Sequence, residues 1–196
     1  NQSSQVPRTL QAVFQFSEWI TDRPSTFKKT VTISPPLNKL LKFEVDGDRL
    51  MITSNAELDS NTTYNVVLST GVQDLNGNQL ISPFNLTFST GDTIDTLELA
   101  GSVQYPLGSS SRMSAIKVGL YPIGDIRSSY GYLSEFADSN GLVAPSPNFF
   151  KEKPLYITGA DSSGIFLFKG LKRGQYELIA FEDQNNNTIV NIPSEK

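Results

Sequence analysis

The sequence predicts an all-β chain folded as two tandem β-sandwich domains, and three observations carry that prediction. Apolar residues alternate with polar ones in short segments along the whole chain, the pattern of half-buried strands. Turn-forming Gly, Pro, Asn and Asp separate those segments at the spacing of an antiparallel sandwich. No segment shows an apolar period of 3.6 residues over a helical length. With 196 residues, the chain is long enough for two domains of ordinary small size.

The first series begins with Leu10, Ala12, Phe14 and Phe16 on one strand face, followed by Val31 and Ile33. Leu41, Phe43 and Val45 lead through Asp46-Gly47-Asp48 into Leu50 and Ile52, so 41–53 reads as a hairpin. Tyr64, Val66 and Leu68 form the next strand, the Asp74–Asn78 stretch is turn-rich, and Phe84, Leu86 and Phe88 close the set. That makes about seven short strands. Polar Ser89-Thr90-Gly91-Asp92-Thr93 breaks the pattern and places a boundary, giving domains 1–92 and 93–196. The second series comprises Leu97, Leu99, Gly101 and Val103, then Ile116, Val118 and Leu120, then Phe166 and Phe168. It ends on a strand with Tyr176, Leu178 and Ala180 on one face and Ile179 and Phe181 on the other. Most connections are too short for crossover helices, which argues against a parallel α/β sheet.

Composition removes whole classes of chemistry. The chain has no His and no Cys, so it has no Ser-His-Asp triad, Cys nucleophile, Cys/His zinc site or disulfide framework. A net charge of −4 gives no basic footprint for nucleic acid or an anionic membrane. Apolar runs are far shorter than a membrane-spanning helix needs. The polar start at Asn1-Gln2-Ser3-Ser4 and the stop at Lys196 read as an excised piece of a larger protein, from which any targeting segment would have been removed.

Several motifs in the first half come in a recognisable order. They are Phe14-Gln15-Phe16-Ser17-Glu18, Ile33-Ser34-Pro35-Pro36, Leu58 with Asn61-Thr62-Thr63-Tyr64, Asp74-Leu75-Asn76-Gly77-Asn78 and Phe88-Ser89-Thr90-Gly91. Over roughly residues 8–92 that order resembles the bacterial Ig-like domain of surface and S-layer proteins. Tyr64 is placed like a tyrosine corner, its hydroxyl available to backbone upstream, and Asn76-Gly77 suits a tight turn. The second half resembles the transthyretin-like or carboxypeptidase-regulatory sandwich. Its carriers are Gly101-Ser102-Val103, Val118-Gly119-Leu120-Tyr121, Lys153-Pro154-Leu155-Tyr156, Asp161–Phe166 and Leu171–Tyr176. The pair together looks like the N-terminal part of Ig-like-domain envelope lipoproteins of the Bacteroidetes. That resemblance implies a bacterial envelope location, at the outer membrane surface or in the periplasm. It also implies anchoring only through an N-terminal lipid missing from this sequence, a second domain truncated at its C-terminus, and no reaction. Two departures stand out. The loop from Tyr121 to Lys153 is far longer than the family pattern, and Asn191 stands where relatives tend to carry Asp.

Three candidate sites follow. Asp183, Asn185 and Asn187, with Asn191 and Glu195 downstream, place oxygens at alternate positions as in calcium-wrapping loops. Thr188 stands where such a loop needs Gly and Glu195 is one place late, so calcium is expected to bind weakly if it binds. The same residues also read as a plain Asn-rich turn. The long loop carries Tyr130, Tyr132, Phe136, Phe149 and Phe150, which could stack on sugar rings or fill a partner's pocket. The blander reading has Tyr132, Leu133 and Phe136 on a short helix covering the sandwich edge. Asp92-Thr93-Ile94 and Asp95-Thr96-Leu97 resemble the Asp-Thr-aliphatic sites that Bacteroidetes O-glycosylate at the Thr, and also read as ordinary linker polarity. Trp19, the single Trp, is expected to pack over the sandwich. Glu18, Asp22, Asp46, Asp48, Asp59 and Asp74 fall mostly at turns, and nothing pairs two of them across a cleft.

The expectation is therefore a non-catalytic, monomeric envelope module with a structural or adhesive role, with no nucleic-acid partner. The alternative is a module that binds a surface polysaccharide or a protein through the 122–153 loop.

Overall fold

In the computed structural model, which describes residues 2–37, 39–69, 71–80, 83–104, 116–161, 163–185 and 187–191, the alternating segments are strands. The chain divides into two compact units, Asn1–Ile33 with Leu37–Ile94, and Ser34–Pro36 with Asp95–Lys196.

The first unit opens on β1 (Gln2–Ser3) and β2 (Thr9–Gln15), where Leu10, Ala12 and Phe14 are buried and their neighbours exposed. After β3 (Val31–Ser34) come β4 (Leu41–Asp46) and β5 (Arg49–Glu57), joined through Gly47, whose φ of +61° is the left-handed value a two-residue turn demands. β6 (Thr63–Leu68) and β7 (Phe84–Ser89) complete it. One sheet runs β1-β7-β6-β3 and the other β2-β5-β4. Leu50, Ile52, Leu58, Tyr64, Val66 and Leu68 are essentially solvent-free in the core. Tyr64 behaves as a tyrosine corner: the Asp59 N–H donates to its hydroxyl at 2.9 Å, and its ring stacks on Phe88.

A helix, α1 (Pro24–Thr30), interrupts this series, where the alternation of the sequence predicts strands alone. Only Phe27 and Thr30 are buried on it, so no repeating stripe exists to be read. Pro24 fits the first turn, where no helical N–H is needed, and Phe27 plugs the helix against Phe43 at 5.8 Å between centroids.

The second unit contains β8 (Leu97–Ser102), β9 (Ile116–Pro122), β10 (Tyr156–Gly159), β11 (Ile165–Leu171) and β12 (Tyr176–Glu182). Its sheets run β10-β9-β12 and β11-β8. Val118, Leu120, Leu155, Phe166 and Phe168 lie at its core. A Cβ on Gly101 would sit 2.5 Å from the tip of the Phe166 ring, so any larger residue there would displace that buried ring. β10 carries no alternation because Tyr156, Ile157 and Thr158 are all buried, and a strand covered on both faces does not alternate.

The buried tyrosines set an alkaline limit to this fold. Burial pushes the Tyr64 hydroxyl up to about 12 and raises Tyr121, Tyr132, Tyr156 and Tyr176 as well. A phenol in the unfolded chain ionises near pH 10, so the unfolded state gives up these protons first. Stability from the neutral rings is thus complete below about pH 10 and falls as pH rises through about 12. In an alkaline titration, tyrosinate absorbance is expected to emerge together with loss of the β-sheet circular dichroism. Tyrosinate absorbance from more than two of the seven Tyr forming while the dichroism persists would show that some of these five rings ionise inside the fold.

Candidate functional site

The long segment after β9 is organised by one side chain. Arg127, in a 3₁₀ turn at Asp125–Ser129, has no exposed surface. Its Nε donates to the Ala144 carbonyl at 2.6 Å, Nη1 to the Pro122 carbonyl at 2.8 Å, and Nη2 to Glu152 Oε2 at 2.6 Å. Glu152 is also buried and turns its other oxygen to the Asn148 N–H at 3.1 Å. A charge-assisted pair of this kind persists without water only when its remaining donors and acceptors are met. Backbone bonds from Gly124 N–H to Pro145 O and from Val190 N–H to Phe149 O fasten the segment further.

The aromatic residues of this segment are distributed over it. A second 3₁₀ turn, Gly131–Phe136, seats Leu133 in a solvent-free position, while Tyr130, Tyr132, Phe136 and Phe149 are half-buried. Tyr130 and Tyr132 pack against the second core with planes 51° apart, and Phe149 meets Tyr121 edge-on at 4.9 Å. Only Phe150 of the five is exposed, at 56%. The rings do not form a common flat face. The hydroxyls of Tyr121 and Tyr132 are buried without a hydrogen-bond partner; burial raises both, the Glu152 charge adds to the rise at Tyr121, and the Arg127 charge opposes it at Tyr132. Sequence reasoning misses Arg127 and Glu152. A charged pair inside a loop leaves no periodic signal.

The Asn-rich segment forms a closed loop. Asp183 Oδ1 accepts from the Asn187 N–H at 3.1 Å and Oδ2 from the Thr188 N–H at 3.2 Å. Asn185 Oδ1 takes the Asn187 N–H, and Asn187 Oδ1 takes the Ile189 N–H and the Asn191 amide. Thr188 holds the left-handed turn with φ +62°, a conformation Gly would adopt without strain. Asp183, itself buried, also lies near the Lys117 ammonium, whose pKa burial lowers and Asp183 partly restores. Glu195 lies outside the described residues. Among the described residues no group of three carboxylate, His or Cys ligands converges. Thr93 and Thr96 are both exposed.

Trp19 departs from expectation. Its side chain is 66% exposed, although one face of the indole lies on Gly47, whose added Cβ would stand 3.5 Å from the ring. The turn offers the ring bare backbone and nothing beyond it, so packing covers one face only. Of the turn carboxylates, Asp74 is held below its usual range by the Asn78 side chain, and Asp48 accepts from Gln15. The first unit also contains a cleft of about 300 Å³ between β2 and β7, and none of its lining residues is ionisable.

Residues 1–90 match the family model of the bacterial Ig-like domain. The Ig-like match thus falls on the first sandwich, from β1 through β7. No curated protein matches the chain. Ig-like folds of this kind typically serve non-enzymatic, surface or structural roles, and bacterial Ig-like domains are usually extracellular or envelope-associated. No described helix is long and apolar enough to cross a membrane.

Two expected outcomes follow from the second unit. Arg127→Met should destabilise it by about 3–5 kcal/mol by leaving Glu152 buried and unpaired, while Arg127→Met with Glu152→Leu should recover most of that loss. Chemical denaturation of the two variants compares them, and equal losses would show that the pair does not act as a unit. Because the Asp183–Asn191 loop closes on its own hydrogen bonds, the melting temperature should be the same in chelator and in millimolar calcium. A rise with calcium would mean that these oxygens exchange their N–H donors for the ion.

Proposed function

We propose that the chain is a non-catalytic structural module of the bacterial cell envelope, in which two β-sandwich units serve as a scaffold for surface presentation. The observation that supports this most is the fastening of the 122–153 segment. Arg127 and Glu152, both buried, fasten it within the second unit, and four of its five candidate binding rings are half-buried rather than presented to solvent. A segment fixed by a desolvated ion pair resists local opening, as an element that spaces or carries tension requires. Among the described residues, the first-unit cleft has no ionisable lining residue and Asp74 is engaged in capping its own turn, so neither offers an acid–base pair for hydrolysis.

Envelope exposure is the part that experiment reaches directly. Protease added to intact cells of the source bacterium should remove the epitope detected by an antibody raised against this chain, while a cytosolic marker survives. Protection of the epitope until the cells are lysed, with recovery in the cytosolic fraction, would overturn the proposal.

A further inference from the structure

Exposed leucines such as Leu40 are ordinary on a protein surface and need no explanation. One end of the first unit is different. Trp19 and Leu75, 66% and 64% exposed, come from separate loops that the Leu75 N–H joins to the Trp19 carbonyl at 3.2 Å. The Ile20 N–H donates to the Gly47 carbonyl at 3.0 Å and the Phe16 N–H to the Asp48 carbonyl at 2.8 Å. Main-chain bonds therefore fix this end from three directions, and Gly47 supports one face of the indole. A large flat ring is held in place with its other face in water, which leaves much apolar area wet.

The surrounding charge selects what that face can take. Glu18, Asp22, Asp46, Asp48 and Asp74 belong to the segments that build this end, against Arg23 and Arg49. Carboxylate surplus repels an anionic partner and draws a cation towards the ring, whose π face attracts ammonium and guanidinium groups within about 6 Å. We propose that the end of the first unit formed by Trp19, Leu75 and the Asp46–Asp48 turn docks a basic protein segment, a Lys or Arg side chain lying on the indole. This adds a recognition site to the scaffold and stands on its own observations.

Trp19 is the only tryptophan in the chain, so its fluorescence reports this surface alone. Titrating the full chain with a Lys/Arg-rich peptide should change that emission saturably, with affinity falling as salt rises. The same peptide with Gln at its basic positions should leave the emission unchanged. Glu18→Gln with Asp46→Asn should weaken binding by about three- to tenfold. Trp19→Ala, followed by polarisation of a labelled peptide, should weaken it by about fivefold or more. Unchanged emission with the basic peptide, or full affinity in either variant, would overturn the proposal. An equal response to the Gln peptide or to a neutral oligosaccharide would overturn it in favour of stacking that ignores charge. The comparison of the two peptides uses the unaltered chain and does not depend on how the variants fold.

Discussion

Burying the Arg127 guanidinium forces the arrangement of nearly everything between β9 and β10. A desolvated charge costs several kcal/mol unless its donors are met. The groups that meet them lie far apart in sequence, at Pro122, Ala144 and Glu152. Satisfying one side chain thus folds the segment back across the core, and Leu133 and the half-buried Tyr130 and Tyr132 close over that core as a result. The pairing is imperfect, since the Tyr121 and Tyr132 hydroxyls are buried nearby without partners.

The strands are legible where one face is wet. Leu10, Ala12 and Phe14, or Phe166 and Phe168, announce themselves because their neighbours are exposed. β10 is silent because both of its faces are covered, and α1 because a helix of seven residues with a single aromatic plug has no period to display. Tyr64 can be read because a corner tyrosine is defined by local spacing, whereas Arg127 and Glu152 are brought together by tertiary structure alone. Trp19 misleads for a related reason. An apolar side chain at a strand end normally finds cover, and only the bare backbone of Gly47 leaves this one half covered.

The two halves handle their aromatic residues in opposite ways. The long segment of the second unit turns its rings inward or against one another, apart from Phe150. The first unit holds its one tryptophan outward on a rigid turn. Stiffness is common to both, achieved in one by a desolvated ion pair and in the other by main-chain bonds between loops.

The pairing of β1 with β7 has a consequence for how the chain comes to be folded. Gln2 and Ser3 lie parallel to Thr87 and Phe88, and the Gln5 and Val6 N–H groups reach the Gly91 and Ser89 carbonyls. Of this unit, the first residues to leave a ribosome therefore wait for nearly the last before they have a neighbour. Closing so long a loop is slow, because its entropy is lost before any contact offsets it. Until then the growing polypeptide of this unit has no partner for its first strand, and the sandwich locks only once residues 84–91 have joined it.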